Sequence, residues 1–177
     1  EKTKKLRVGH PLDKETRQGA MVSKAHMEKV LSYIELAKEE GGTILHGGNQ
    51  IHLEEEFSEG YYLEPTVIEV LSIECRTNQE EIFGPVVTIT PFDTEDEVLA
   101  YANGTVYGLA GAVWTANLSR AHRMIRAVRT GVMHVNTYGG ADGTVPLGGV
   151  GQSGNGSDKS LHAIEKYVNL KTAWIKL

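Results

Sequence analysis

The segment Glu80-Glu81-Ile82-Phe83-Gly84-Pro85-Val86 holds the residues whose types and order composition explains least. A charge, an aromatic and a Gly-Pro pair stand directly before an apolar stretch. That order describes a sharp, rigid turn presenting side chains ahead of a strand. The residues alone leave two readings: a turn that displays Glu81 and Phe83, or an ordinary turn with one core phenylalanine.

The other chemistry-bearing residues read more plainly. Cys75 is the single thiol. A nucleophilic cysteine needs its pKa lowered by nearby positive charge, and Glu74 and Arg76 on either side give no net push. The stretch Leu71–Cys75 reads as a linker or edge segment carrying an unreactive packing thiol. The seven histidines show no ligand spacing and there is no cysteine pair, so no metal site is expected. Asp93, Glu95, Asp96 and Glu97 form an acidic group that complements a helix N-terminus. Arg120, Arg123, Arg126 and Arg129 recur every third residue and read as a solvated helix face in preference to a phosphate site. Gly149-x-Gly151-x-x-Gly154 spells the dinucleotide fingerprint. A working fingerprint follows a strand and opens a helix. These glycines follow Val145-Pro146-Leu147-Gly148 in an irregular run, so no phosphate site is expected there.

Such groups need a scaffold, and 177 residues suffice for one ordinary domain with a core. The apolar fraction of 40% and charged fraction of 23% are those of a soluble globular protein. No apolar run is long enough to span a membrane, and no signal peptide is visible. The chain starts at Glu1 rather than Met, which is compatible with processing or truncation. A net charge of −5 disfavours nucleic acid as a partner. The lone cysteine fits a reducing, cytoplasmic setting.

Helical and strand periods alternate along the chain. Ser23 is placed to cap a helix carrying Met27, Val30, Leu31 and Ile34 on one face, with Gly41 as its left-handed terminator. Strands are expected at Thr43–Leu45, Tyr62–Ile68, Val86–Thr90, Leu109–Thr115 and Val132–Val135. Thr94-Glu95-Asp96-Glu97 has the form of a capping box, opening a helix that ends near Asn103-Gly104. Asn117 or Ser119 caps a helix through Arg129, with Met124, Ile125 and Val128 buried and Gly131 as terminator. A glycine-rich loop occupies Asn136–Ser157, a helix Asp158–Tyr167, and an extended segment Val168–Leu177. The alternation favours an α/β fold: an open, mostly parallel twisted sheet flanked by helices.

In fixed order, several segments resemble the C-terminal catalytic half of the aldehyde dehydrogenases. They are Arg7-Val8-Gly9-His10-Pro11-Leu12-Asp13, Gly60-Tyr61-Tyr62-Leu63-Glu64-Pro65-Thr66, the Glu80–Val86 turn, Tyr107-Gly108-Leu109-Ala110, Gly131-Val132-x-x-Val135-Asn136 and Pro146-Leu147-Gly148-Gly149. The tail from Gln152 to Ala163 is similar to the γ-glutamyl-γ-aminobutyraldehyde dehydrogenases and related broad-specificity enzymes. The resemblance implies residues 1–165 as a catalytic-domain portion and 166–177 as a C-terminal oligomerisation strand.

It also implies roles. Glu81 would accept hydrogen bonds from the nicotinamide ribose hydroxyls of NAD or NADP, and Phe83 would pack near the nicotinamide. Asp158 would take part in proton relay. Asn136 and Leu147 would line the aldehyde entrance. The family mechanism is covalent: a cysteine thiolate attacks the aldehyde, hydride passes to NAD(P)+, and an activated water hydrolyses the thioester. In that alignment the nucleophile, main base and cofactor domain lie before Glu1, so the isolated chain is expected to be inactive. The expected partners are an aldehyde, an aminoaldehyde among the candidates, and the missing N-terminal half or full-length subunits of a homo-oligomer. Leu147 stands where the family usually has Phe, Val150-Gly151 replaces an aromatic-Lys pair, and Ser157 replaces Arg. These departures bear on substrate preference and activity. The rival reading is a non-catalytic assembly or binding protein that keeps the fold.

Overall fold

Ser23 opens the first long helix, α1 (Lys24–Glu39), by accepting the His26 N–H at 3.2 Å. Gly41 ends it with φ at 86°, a conformation that costs a side-chain-bearing residue but not glycine. The Gly42 N–H then reaches the Ala37 carbonyl at 2.7 Å and the Gly41 N–H reaches Lys38 at 3.1 Å, the paired bonds of a Schellman stop. Met27, Val30, Ile34 and Ala37 are buried on one face, together with Leu63 and Ile68. Burying each of the larger side chains is worth roughly 1.5–3 kcal/mol, more than any exposed ion pair on the helix. Leu31 is only partly buried.

The computed structural model describes residues 1–69, 72–140 and 142–177, and these fall into two units, Glu1–Pro91 and Phe92–Leu177. Leu71, at the head of the expected linker, and Ala141, inside the expected glycine loop, lie outside the described residues. In the first unit the strands are β1 (Thr43–His46), β2 (Gln50–Ile51), β3 (Tyr62–Leu63), β4 (Thr66–Glu69) and β5 (Val86–Ile89). One sheet has the order β1-β4-β5, antiparallel then parallel; β2 and β3 form a second, antiparallel pair. The single strand expected over Tyr62–Ile68 is interrupted at Glu64-Pro65, where proline has no N–H to give a ladder. A short helix, α2 (Arg76–Gln79), precedes β5; Cys75 stands at its N-cap position without a side-chain bond, and the Glu40 carboxylate takes its first N–H groups instead.

In the second unit, α3 (Glu95–Asn103) begins at the expected box: Thr94 accepts the Glu97 N–H at 3.1 Å. Glu97 reaches back one residue further than the box predicts, to the Asp93 N–H at 2.7 Å. Strands β6 (Ala110–Val113) and β7 (Val132–Val135) pair in parallel, which requires a crossover, and α4 (Leu118–Ala127) supplies it. Asn117, not Ser119, caps α4. Two expectations about α4 need correcting. Ala121 and Met124 are buried, but Ile125 faces solvent. The helix stops before Val128 rather than at Gly131, because the Asn103 carboxamide takes its end, donating to Ala127 O at 2.8 Å and accepting from the Arg129 N–H at 2.7 Å.

The helix expected over Asp158–Tyr167 is a 3-10 helix beginning at Leu161. Lys159 and Ser160 both have positive φ, at 59° and 52°, and consecutive left-handed residues cannot continue a right-handed helix. Beyond Tyr167 the chain makes no ladder among the described residues. A strand exists only against a partner, and the extended segment expected over Val168–Leu177 has none among the described residues. The α/β class with open sheets flanked by helices is what the chain forms; among the described residues its strands lie in three small sheets with two parallel and two antiparallel pairings, in place of the single, mostly parallel sheet expected. No helix among the described residues is long and apolar enough to cross a membrane.

Candidate functional site

The turn from Glu80 to Pro85 is laid along α1. His26, Lys29 and Tyr33 are spaced three and four residues apart and share one side of that helix. His26 Nε2 lies 2.7 Å from the Phe83 carbonyl, and Lys29 Nζ donates to the Glu81 carbonyl at 2.9 Å. A carbonyl only accepts, so His26 carries its proton on Nε2 in this arrangement. The Tyr33 hydroxyl donates to the Glu80 carboxylate. A Cβ added at Gly84 would stand 2.6 Å from a Val30 methyl, so the chain passes closer to α1 than any other residue allows. The Pro85 carbonyl accepts the Thr66 N–H at 2.8 Å, which delivers the chain into β5.

The clamped turn displays its other side chains. Phe83 has φ at 58° and is 72% exposed, so the reading of this turn as an ordinary one with a core phenylalanine does not hold. The Phe83 and His26 rings stand edge-on to one another, with centroids 5.9 Å apart. Glu81 is exposed, and among the described residues no donor reaches its carboxylate. Glu80 is the opposite case. Arg76 forks onto it at 2.7 and 3.0 Å, and this pair, with the Tyr33 hydroxyl, lowers the Glu80 carboxyl to about 2. The same contacts raise the Tyr33 phenol and the Arg76 guanidinium above their ordinary values, Glu80 being the main cause of each.

Cys75, which precedes this turn in the chain, is partly buried. Burial pushes its thiol up, and the Glu40 carboxylate adds to the rise. Glu40 accepts from the Arg76 N–H at 2.8 Å, the Thr77 N–H at 3.2 Å and the Thr77 hydroxyl at 2.6 Å. Burial alone would raise the Glu40 carboxyl, but these donors outweigh it and the net shift is downward.

In the second unit Leu147 and Asp158 form an antiparallel bridge, with backbone bonds of 2.8 and 2.7 Å. The Asp158 carboxylate pairs with Lys166 Nζ at 2.7 Å, and that ammonium holds its carboxyl below the ordinary value. Asn136 has φ at 55°, and both ends of its carboxamide engage the Thr115 backbone. The glycine run does not open an α-helix: Gly151–Ser153 is a three-residue 3-10 turn. Its backbone donors are spent on the chain beneath, Val150 on Gly108 at 3.0 Å and Gln152 on Val106 at 2.8 Å. A Cβ at Gly151 would stand 2.3 Å from the Val106 carbonyl oxygen, so close packing accounts for that glycine. Arg120 and Arg123 of the arginine stripe both bind Glu95, lowering its carboxyl to about 2, with Arg123 the larger cause. No cluster of metal-ligating groups occurs among the described residues.

The structure therefore joins Glu81 with Phe83 on one turn of the first unit, and Leu147 with Asp158 in one bridge of the second. His26, Lys29 and Tyr33 escape a reading by motif. The available signal was their helical spacing beside the buried Met27, Val30 and Ile34. Lys166 had no local signal at all, since eight residues and a kink separate it from Asp158.

The aldehyde dehydrogenase family model matches residues 1–173. A 2-aminomuconic 6-semialdehyde dehydrogenase of Pseudomonas sp is 44% identical over 177 residues, a match spanning 100% of this chain and 36% of that protein. A betaine aldehyde dehydrogenase of Brucella anthropi is 41% identical over 177 residues, with the same shares. The solved indole-3-acetaldehyde dehydrogenase AldA of P. syringae, in complex with NAD+ and IAA, superimposes with a TM-score of 0.90 at 49% identity, covering 98% of this chain and 34% of that one. This chain belongs to the aldehyde dehydrogenase family, and it spans about a third of the length of these relatives.

Proposed function

We propose that this chain supplies the C-terminal part of the catalytic domain of an NAD(P)+-dependent aldehyde dehydrogenase, residues 1–165 belonging to that domain and residues 166–177 to an oligomerisation strand. The observation that carries the reading is the clamped turn with Glu81 and Phe83 exposed on it. A carboxylate free of internal donors suits a vicinal pair of ribose hydroxyls, because both of its oxygens only accept. Each such charge-assisted bond is worth roughly 1.5–3 kcal/mol. Phe83 limits the wandering of the nicotinamide ring, and the family's cofactor takes the hydride from the aldehyde carbon. Hydride transfer needs a near-attack geometry, so the rigidity of the turn bears directly on rate.

Asp158 is kept ionised by Lys166 and serves the proton relay as an acceptor. Asn136 anchors the head of the glycine run, and Leu147 presents an aliphatic wall toward the aldehyde. The nucleophilic cysteine, the main base and the remaining cofactor contacts come from outside this sequence. Aminoaldehydes are the favoured substrate class: two of the matched relatives are named for betaine aldehyde and 2-aminomuconic 6-semialdehyde, against one named for indole-3-acetaldehyde, and the Gln152–Ala163 tail resembles aminoaldehyde enzymes. A single cysteine suits a reducing, cytoplasmic setting.

The test is Glu81→Gln in the complete enzyme, read by single-turnover NADH formation and by the separate rate of thioester hydrolysis. The hydride step slows about 10- to 100-fold, the equivalent of one charge-assisted bond, while hydrolysis changes less. An unchanged hydride step would sink the assignment.

A further inference from the structure

Two glutamates stand side by side at the head of the turn, and only one faces outward. Glu80 has φ at −107° and ψ at 151°, an extended conformation. In extended backbone, successive side chains point to opposite sides. Whatever draws Glu80 inward therefore turns Glu81 outward. Arg76 does so with a fork of 2.7 and 3.0 Å, one bond to each carboxylate oxygen, and the Tyr33 hydroxyl adds a third donor on the α1 side. Arg76 is itself fixed, since its N–H and that of Thr77 are bound by Glu40 at the end of α1. Both ends of α2 are thus tied to α1, its start through Glu40 and its end through Tyr33.

We propose that Tyr33 and Arg76 are positioning residues for the cofactor-binding carboxylate of Glu81, acting through Glu80 as a facing lock. The proposal rests on the assignment of Glu81 to the nicotinamide ribose. Without the lock, the Glu80-Glu81 pair keeps its backbone bonds, Glu80 N–H to the Arg76 carbonyl at 2.8 Å and Lys29 Nζ to the Glu81 carbonyl at 2.9 Å, but the Glu80 side chain is released and its carboxylate competes with that of Glu81 for the outward face. Lys29 and His26 hold only carbonyls of the turn, so they fix its path without choosing which carboxylate faces out.

The experiment is a double-mutant cycle in the complete enzyme. Tyr33→Phe removes the donor and keeps the ring; Arg76→Met removes the fork and keeps the stem. Each is made alone and with Glu81→Gln, and the NADH burst and thioester hydrolysis are followed separately. Each single variant slows the burst about three- to tenfold with hydrolysis unchanged, and in the Glu81→Gln background neither slows it further. Arg76→Lys, which keeps the charge, restores part of the rate. Equal slowing in both backgrounds, or single variants with a normal burst, would overturn the lock. Glu80→Gln, isosteric and still able to accept, guards against a folding failure: it slows the burst less than Arg76→Met, and a larger effect counts against the proposal. If Glu81→Gln itself leaves the burst intact, the cofactor assignment fails, and the lock with it.

Discussion

The Asn136 carboxamide pairs with both backbone groups of Thr115: Oδ1 accepts the Thr115 N–H at 2.8 Å and Nδ2 donates to the Thr115 carbonyl at 3.0 Å. One side chain thus extends the β6–β7 ladder by the equivalent of a residue pair, just where the glycine run departs. Asn136 can do this at φ 55° because a short amide tolerates the left-handed region better than most residues. Asn136→Ala loses two partly exposed hydrogen bonds and keeps the strained backbone, a cost of about 1–3 kcal/mol. Asn136→Gly loses the same bonds but relieves the strain. Urea denaturation should rank wild type above Gly and Gly above Ala; an Ala variant as stable as Gly contradicts the backbone argument.

Acid should weaken the fold through Glu80 and Glu95. Both carboxyls drop from an ordinary 4.5 to about 2 in the folded chain. A depressed folded pKa means the unfolded chain binds more protons, so this stabilisation is present in full above about 4.5 and is lost as pH falls toward about 2. The Tm should fall across that window. Glu95→Gln should make the fall shallower, and added salt should narrow the difference between the variants because these pairs are solvent-exposed. A Glu95→Gln profile parallel to wild type contradicts the assignment.

The chain by itself should not oxidise aldehydes. Its one thiol is raised in pKa by burial and by Glu40, the reverse of what a nucleophile needs. Losing a covalent nucleophile removes several powers of ten in rate. With NAD+ and aminoaldehydes, no NADH absorbance should develop. Iodoacetamide at neutral pH should modify native Cys75 far more slowly than the unfolded chain. Turnover that Cys75→Ser abolishes would show the thiol to be catalytic after all.

Association should follow from the tail. Leu170 is 99% and Trp174 95% exposed, and Ile175 and Leu177 are exposed beside them. Open backbone with apolar side chains recruits another chain, and the spaced Lys166, Lys171 and Lys176 seldom cancel that tendency. Light scattering should give a mass above that of one chain, and removal of residues 166–177 should lower it. A clean monomer at high concentration rules this out.

Several features were legible in the letters because their causes are local. The Ser23 and Thr94 caps, the Gly41 stop and the apolar face of α1 each depend on groups within about one helical turn. The order of short motifs, Glu80–Val86 foremost, was enough to point to the family. Partners distant in sequence were decided by the path of the chain. Tyr33 meets Glu80 across 47 residues, His26 meets Phe83 across 57, and Asn136 meets Thr115 across 21. The i, i+4 spacing of Arg76 and Glu80 is itself a local signal for which carboxylate is drawn inward, but that Tyr33 of α1 joins the pair was decided only by the path of the chain. The same holds for Ile125, whose periodicity allowed burial until the packing of Ala121 and Met124 set the buried side of α4. Capping and turn chemistry act over a few bonds and are written in sequence; the choice between equivalent side chains is made by what the fold brings alongside them.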